Sequence, residues 1–152
     1  MNTYDPAKIW RLTRKLTTKS NGTKLQDISY TFDPVGNITQ ILDASQTNAA
    51  KTANYTYDHL DRLLTSTITN AANGQNYVQS YSYDILGNML SKSDIGAYTY
   101  AGGNPATSVA TFANPHAVTN VLAHDYTYDK KGNLKNDGEW TQTWDYKNRL
   151  TH

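Results

Sequence analysis

Apolar and polar positions along this chain alternate in short runs and never gather into helical stripes. Tyr30-Thr31-Phe32, Tyr55-Thr56-Tyr57, Tyr81-Ser82-Tyr83, Tyr98-Thr99-Tyr100 and Tyr126-Thr127-Tyr128 each set two rings two residues apart around a small hydroxyl residue. That is the period of a strand, with the rings on one face and the hydroxyl on the other. The runs Ile38 to Leu42, Leu63 to Ile68 and Met89 to Ser93 alternate partially and carry β-branched residues, which predicts second strands with one wet face. Polar linkers over 19–23, 71–75 and 102–105 punctuate the strands, and Asn21-Gly22 predicts a two-residue hairpin turn. The Ala-rich stretch from Asn48 to Ala53 is too short for more than one turn of helix.

One short pattern recurs: aromatic, small polar, aromatic, Asp, two free residues, Gly, Asn, apolar. Its best copies run from Tyr30 to Ile38, Tyr81 to Met89 and Tyr126 to Leu134. Asp33, Asp84 and Asp129 are thus followed at fixed spacing by Gly36-Asn37, Gly87-Asn88 and Gly132-Asn133. Two variants keep the frame but end in Arg-Leu, with Asp58 before Asp61-Arg62-Leu63 and Asp145 before Asn148-Arg149-Leu150. A looser start runs from Tyr4-Asp5-Pro6 to Trp10-Arg11-Leu12-Thr13.

Each copy reads as a β-hairpin. Asp opens a type I turn by accepting backbone N–H bonds, Pro34 supplies a fixed φ, and Gly sits where the chain needs φ > 0 to enter the second strand through a bulge. Asp61 and Asn148 replace Gly with residue types that tolerate the left-handed region best. The second aromatic of each copy falls at 32, 57, 83, 100, 128 and 144, at intervals of 25, 26, 17, 28 and 16 residues. Short intervals fit one hairpin, and long ones leave room for an additional strand or a wide loop. The expected fold is all-β: one array over 1–152, with units near 4–13, 28–43, 55–68, 81–101, 126–137 and 143–152, whose antiparallel hairpins form a curved or spiralling open sheet.

Composition agrees with strands and turns. Twelve Tyr, three Trp and two Phe stand against 18% charged residues, so rings must supply much of the buried area. A net charge of +1 gives no field that argues for nucleic acid or an anionic membrane. The early cluster of Lys8, Arg11, Arg14, Lys15, Lys19 and Lys24 reads as a solvated pair of strands. Without cysteine there is no disulfide framework or thiolate zinc site. No apolar run reaches the length of a transmembrane helix, and Met1 to Asp5 lacks the features of a signal peptide.

The recurring Tyr-x-Tyr-Asp-x-x-Gly-Asn and its Arg-Leu-Thr variant resemble the YD repeat of Rhs proteins, of bacterial insecticidal toxin complexes and of teneurins. The segment Asn114-Pro115-His116-Ala117-Val118-Thr119-Asn120-Val121 is similar to a spacer between such repeats, and the resemblance covers nearly the whole chain. It implies a spiralling antiparallel sheet that, over many repeats, forms a hollow shell. In bacterial members the shell encloses a toxin domain made at the C-terminus of the same chain. The implied partners are therefore the remainder of a larger Rhs protein and its toxin cargo, and the implied location is bacterial and exported or at the cell surface. This length is too short to close a shell. The family's autoproteolytic Asp-Pro-x-Gly segment has its letters in Asp33-Pro34-Val35-Gly36, but these sit inside an ordinary repeat and read as a turn.

Little in the chain nominates chemistry. Asp33, Asp58, Asp84, Asp129 and Asp145 could be paired as a glycosidase acid and base, yet their identical place in a turn favours structure. His59, His116, His124 and His152 show no ligand spacing, and neither a Gly-x-Ser-x-Gly elbow nor a phosphate-cradling loop is present, so the expectation is no enzyme, no metal and no cofactor. The alternative function is a binding module in which Trp10, Trp140 and Trp144 stack on glycans. Edge strands at the two ends predict self-association.

Overall fold

The computed structural model describes residues 1–46, 49–70, 74–100 and 115–152. Outside them fall the linker expectations at 71–73 and 102–105, Ala101, which stands where the other copies carry Asp, Asn48 of the Ala-rich stretch and Asn114 of the spacer. The described residues form thirteen strands and one short 3-10 turn, with antiparallel pairing throughout and no α-helix. The chain divides into two compact units, Met1–Ser80 and Tyr81–His152.

The first unit is a meander of β1 (Asn2–Asp5), β2 (Arg11–Thr18), β3 (Lys24–Phe32), β4 (Ile38–Asp43), β5 (Lys51–Tyr57), β6 (Leu63–Asn70) and the part of β7 (Asn76–Tyr83) up to Ser80. The intervals of 25 and 26 residues hold no additional strand; the hairpins are simply long. The Ala-rich stretch is strand from Lys51 onward, and Ala53 lies between Ile41 and Ile68 at the middle of the sheet. Cross-strand neighbours override its local helix preference. Asn21-Gly22 does not form a two-residue turn. Lys19 and Thr23 close a three-residue loop through Lys19 N–H to Thr23 O at 2.8 Å and Gly22 N–H to Lys19 O at 3.0 Å, and only Gly22 takes positive φ. Asn21 stays right-handed because its Oδ1 accepts the Thr23 N–H at 3.1 Å, the bond of an Asx turn.

The second unit continues through the end of β7 to β8 (Met89–Lys92), β9 (Gly96–Tyr100), β10 (Val118–Val121) and β11 (His124–Asp125), with β12 (Thr127–Tyr128) and β13 (Leu134–Asn136) as a separate pair. The interval of 28 residues here holds, among the described residues, one short strand more than those of the first unit, β11, between the return strand β10 and β12. The connection of β10 to β11 is a tight turn at Leu122 and Ala123, both at positive φ.

Among the described residues neither unit has a second layer. Ala117 is the only buried apolar residue among those described, no large side chain is fully buried, and the ring face is half-buried while the hydroxyl face is wet. That wet face is tied across strands by hydroxyl pairs, Thr56 to Thr65 at 2.6 Å, Ser82 to Ser91 at 2.5 Å and Thr99 to Thr119 at 3.2 Å. These are the small residues between the two rings of each copy, each facing a partner on the next strand. The most buried residue among those described is ionic. Asp27, 3% exposed, accepts Arg14 Nε at 2.7 Å and Arg14 Nη2 at 2.9 Å as well as the Lys24 ammonium. Hydrogen bonds from Arg14 and then Lys24 hold its carboxyl far below the usual range, outweighing burial. Two of the clustered basic residues are thus internal partners of one carboxylate.

Candidate functional site

The feature built with most care is the row of Asp-led turns. Five described turns share one hydrogen-bond plan. The Asp N–H donates to the carbonyl four residues on: Asp33 to Asn37 at 3.0 Å, Asp58 to Arg62 at 2.9 Å, Asp84 to Asn88 at 2.9 Å, Asp129 to Asn133 at 2.9 Å and Asp145 to Arg149 at 3.0 Å. Oδ1 of each Asp accepts main-chain N–H groups from inside the turn. Asp33 takes Gly36 at 2.7 Å and Asn37 at 2.8 Å, and Asp84 takes Leu86 and Asn88, both at 2.8 Å. Asp58, Asp129 and Asp145 do the same with residues two and four positions on. The fourth loop position has positive φ throughout: Gly36 118°, Asp61 60°, Gly87 91°, Gly132 89° and Asn148 59°. Four of the five turns enter their second strand through a register shift at the second aromatic, at Phe32, Tyr57, Tyr83 and Tyr128.

Oδ2 is occupied as well, by one of two donors. In the Gly-Asn turns the Asn amide donates, at 3.0 Å to Asp33, 2.8 Å to Asp84 and 2.9 Å to Asp129. In the Arg-Leu turns the guanidinium Nε takes that place, at 2.7 Å to Asp58 and 2.8 Å to Asp145. All five carboxyls lie below the usual range. At Asp33, Asp58 and Asp84 the largest single influence is desolvation, which opposes ionisation, but the summed donors outweigh it. At Asp129 the Asn133 amide leads, and at Asp145 the Arg149 N–H leads. A carboxylate held ionised by three local donors has neither a proton to give nor a lone pair turned to a substrate, so these residues are poor acids and bases for glycoside cleavage.

A second set of bonds joins one hairpin to an earlier one. Tyr57 Oη donates to Ile38 O at 2.8 Å, Tyr100 Oη to Met89 O at 2.9 Å, Tyr128 Oη to Val118 O at 2.9 Å and Trp144 Nε1 to Leu134 O at 2.7 Å. The donor is the second aromatic of its copy. In three of the four cases the acceptor is the apolar residue just after Gly-Asn in the preceding copy. Burial raises the Tyr57, Tyr100 and Tyr128 phenols above their usual value, with smaller contributions from neighbouring Tyr and Asp groups. In the first unit Arg11 reaches the following turn, donating to Asp33 O and Val35 O at 3.2 Å each, with its guanidinium 5.6 Å from the Phe32 ring centre. A Cβ at Gly36 would lie 2.7 Å from Arg11 Nη2, so glycine there serves this approach as well as its own backbone angle.

Sequence reasoning missed these lateral bonds, and it missed His116. The spacer residues Pro115, His116 and Ala117 fold onto the Asp84 turn, where Asn88, 7% exposed, donates to Pro115 O at 2.9 Å and contacts His116 Nδ1 through Oδ1 at 2.6 Å. The three tryptophans are in different settings. Trp10 and Trp140 are 69% and 71% exposed, while Trp144 is half-buried with its indole N–H engaged. Among the described residues no three His, Cys, Asp or Glu side chains gather as a metal site, and no helix is long and apolar enough to cross a membrane.

This geometry defines a class: single-layered, antiparallel hairpin-repeat proteins in which aromatic strands and Asp-led turns repeat in register. No protein-family model matches the chain. It is 35% identical over 74 residues to the tRNA nuclease WapA of Bacillus subtilis strain 168, and equally to the tRNA3(Ser)-specific nuclease WapA of Bacillus spizizenii. Those matches cover 49% of this chain and 3% of either relative, so the chain spans a small part of their length. Its fold follows a chain in the solved structure of TcdB2-TccC3-Cdc42 over 88% of its own length and 8% of that chain, with a TM-score of 0.58 at 21% identity. The partial match to WapA and the shared fold support the likeness of this chain to the YD-repeat, or Rhs-repeat, family.

Proposed function

We propose that this chain is a wall segment of a larger bacterial Rhs-type shell that encloses a toxin or effector, and that it has no catalytic role of its own. The observation that carries the reading is the interlock. The polar groups a catalyst would use, the Asp carboxylates and the ladder Tyr hydroxyls, are committed to holding hairpins closed or to joining them. A wall needs what these bonds provide, namely a fixed register without a second layer. The length of its bacterial relatives, of which the matched stretch is 3%, supports a place within a longer protein, and export of that protein is part of the same proposal.

The test uses the complete parent protein. Limited proteolysis should leave the enclosed domain intact while the same domain, produced by itself, is digested. Equal digestion rates in the two settings would remove the enclosure reading. A second reading rests on Trp10 and Trp140, whose exposed rings suit glycan stacking. Titration with a glycan panel should then quench their fluorescence, and a flat response across the panel discards it. Self-association through β1 is a further proposal, checked by light scattering over a wide concentration range, where a strict monomer rules it out.

A further inference from the structure

The Gly-Asn and Arg-Leu endings are not interchangeable spellings of one turn. In chain order the residue after the positive-φ position is Arg11, Asn37, Arg62, Asn88, Asn133 and Arg149, with the Pro115-His116 spacer between Asn88 and Asn133. Each of the three Asn side chains donates twice, once to its own Asp and once outward to the next turn or spacer. The outward bonds go from Asn37 Nδ2 to Asp61 Oδ1 at 2.7 Å, from Asn133 Nδ2 to Asn148 Oδ1 at 3.1 Å and from Asn88 Nδ2 to Pro115 O at 2.9 Å. Asp61 and Asn148 are the two positive-φ residues that are not glycine in these five turns, and both stand in the turn that follows a Gly-Asn turn.

We propose that Asp61 and Asn148 are positioning residues, retained in a backbone conformation that glycine would fill with less strain because their side-chain oxygen receives the preceding turn's Asn. The array therefore has a period of two hairpins: a donor turn ending Gly-Asn, then an acceptor turn with an oxygen-bearing residue before Arg. Arg11 shows the return step, an Arg turn donating to the main-chain carbonyls of the donor turn that follows it. Where the alternation skips an acceptor turn, the spacer supplies the oxygen from Pro115. This inference concerns the order of hairpins and does not depend on enclosure.

The competing explanation is local: Asp and Asn merely tolerate φ > 0. The two differ in the sign of one substitution. If tolerance is all, Asp61→Gly relieves strain and leaves stability equal or higher. If Asp61 is the acceptor, Asp61→Gly raises the unfolding constant of the 152-residue chain roughly three- to tenfold, the worth of one hydrogen bond, while Asp61→Asn stays within about twofold. In an Asn37→Ala background Asp61→Gly should lose its penalty. The Asn37 side-chain NH2 proton shifts provide a second readout, moving in Asp61→Gly and holding in Asp61→Asn. A neutral or stabilising Asp61→Gly in the wild-type background, or an unchanged penalty in the Asn37→Ala background, overturns the proposal.

Discussion

Replacing Gly36 by alanine places a methyl carbon where the Arg11 guanidinium lies. The new Cβ would sit 2.7 Å from Nη2 and 3.0 Å from Cζ, so Arg11 must withdraw. Withdrawal gives up the bonds to Asp33 O and Val35 O and the approach to Phe32. Each partly exposed hydrogen bond is worth about 0.5–1.5 kcal/mol and the ring contact about 0.5–1 kcal/mol, so about 1–2 kcal/mol is at stake once solvent competition is allowed for. Alanine at φ 118° adds backbone strain of about 1–3 kcal/mol. Gly36→Ala should therefore cost about 2–5 kcal/mol. In an Arg11→Ala background only the strain remains, and the cost should fall by about 1 kcal/mol or more. Urea unfolding of the four proteins measures the cycle, and exchange of the Asp33 amide, bonded to Asn37 O, reports the turn itself. If Gly36→Ala costs the same with and without Arg11, the reasoning that this glycine serves its neighbour is refuted and backbone angle alone explains it.

Tyr57→Phe removes a hydroxyl that donates to Ile38 O at 2.8 Å and should cost about 0.5–1.5 kcal/mol in thermal unfolding. No loss would mean that water replaces the bond freely. Because the turn carboxyls titrate below their unfolded value near 3.9, their contribution is complete above that pH and is lost as pH falls through the folded values. Thermal midpoints should thus be flat in this respect above about pH 5 and drop steadily below about pH 4. Asp27, Asp43 and Asp137 are held low as well and add to the loss, so a midpoint unchanged down to about pH 2 would refute the expectation. Acrylamide should quench Trp10 and Trp140 emission more strongly than that of Trp144, compared through single Trp→Phe variants, and equal quenching would contradict the engaged indole of Trp144.

The strands were legible because their period is local. Alternating rings around Thr or Ser fix which face each residue takes, and Asp with a glycine three positions on fixes where the chain reverses. Two local expectations gave way to neighbours or to a competing side chain. Ala53 is strand because Ile41 and Ile68 flank it, and Asn21 stays right-handed because its own oxygen caps Thr23. The lateral bonds were not legible, since Asn37 and Asp61 are 24 positions apart and no local preference links them. A signal was nevertheless present in the regular exchange of Gly-Asn for Arg-Leu, which reads as variation until the two turns are seen side by side. His116 was not legible for a related reason: ligand spacing is a local signal, while its partner is an amide 28 positions earlier.

Among the described residues neither unit has a buried core, and such a protein responds to change in length unlike a globule. A globule is held by its centre, so removing a segment exposes what remains. Here each hairpin is held only by the ones beside it, as in a line of spins with nearest-neighbour coupling, and the free energy grows as a sum of unit and interface contributions. Such a line has no length at which it becomes complete. Its terminal units have one neighbour each and are the least held, and a further unit can be added beside them without repacking those already in place.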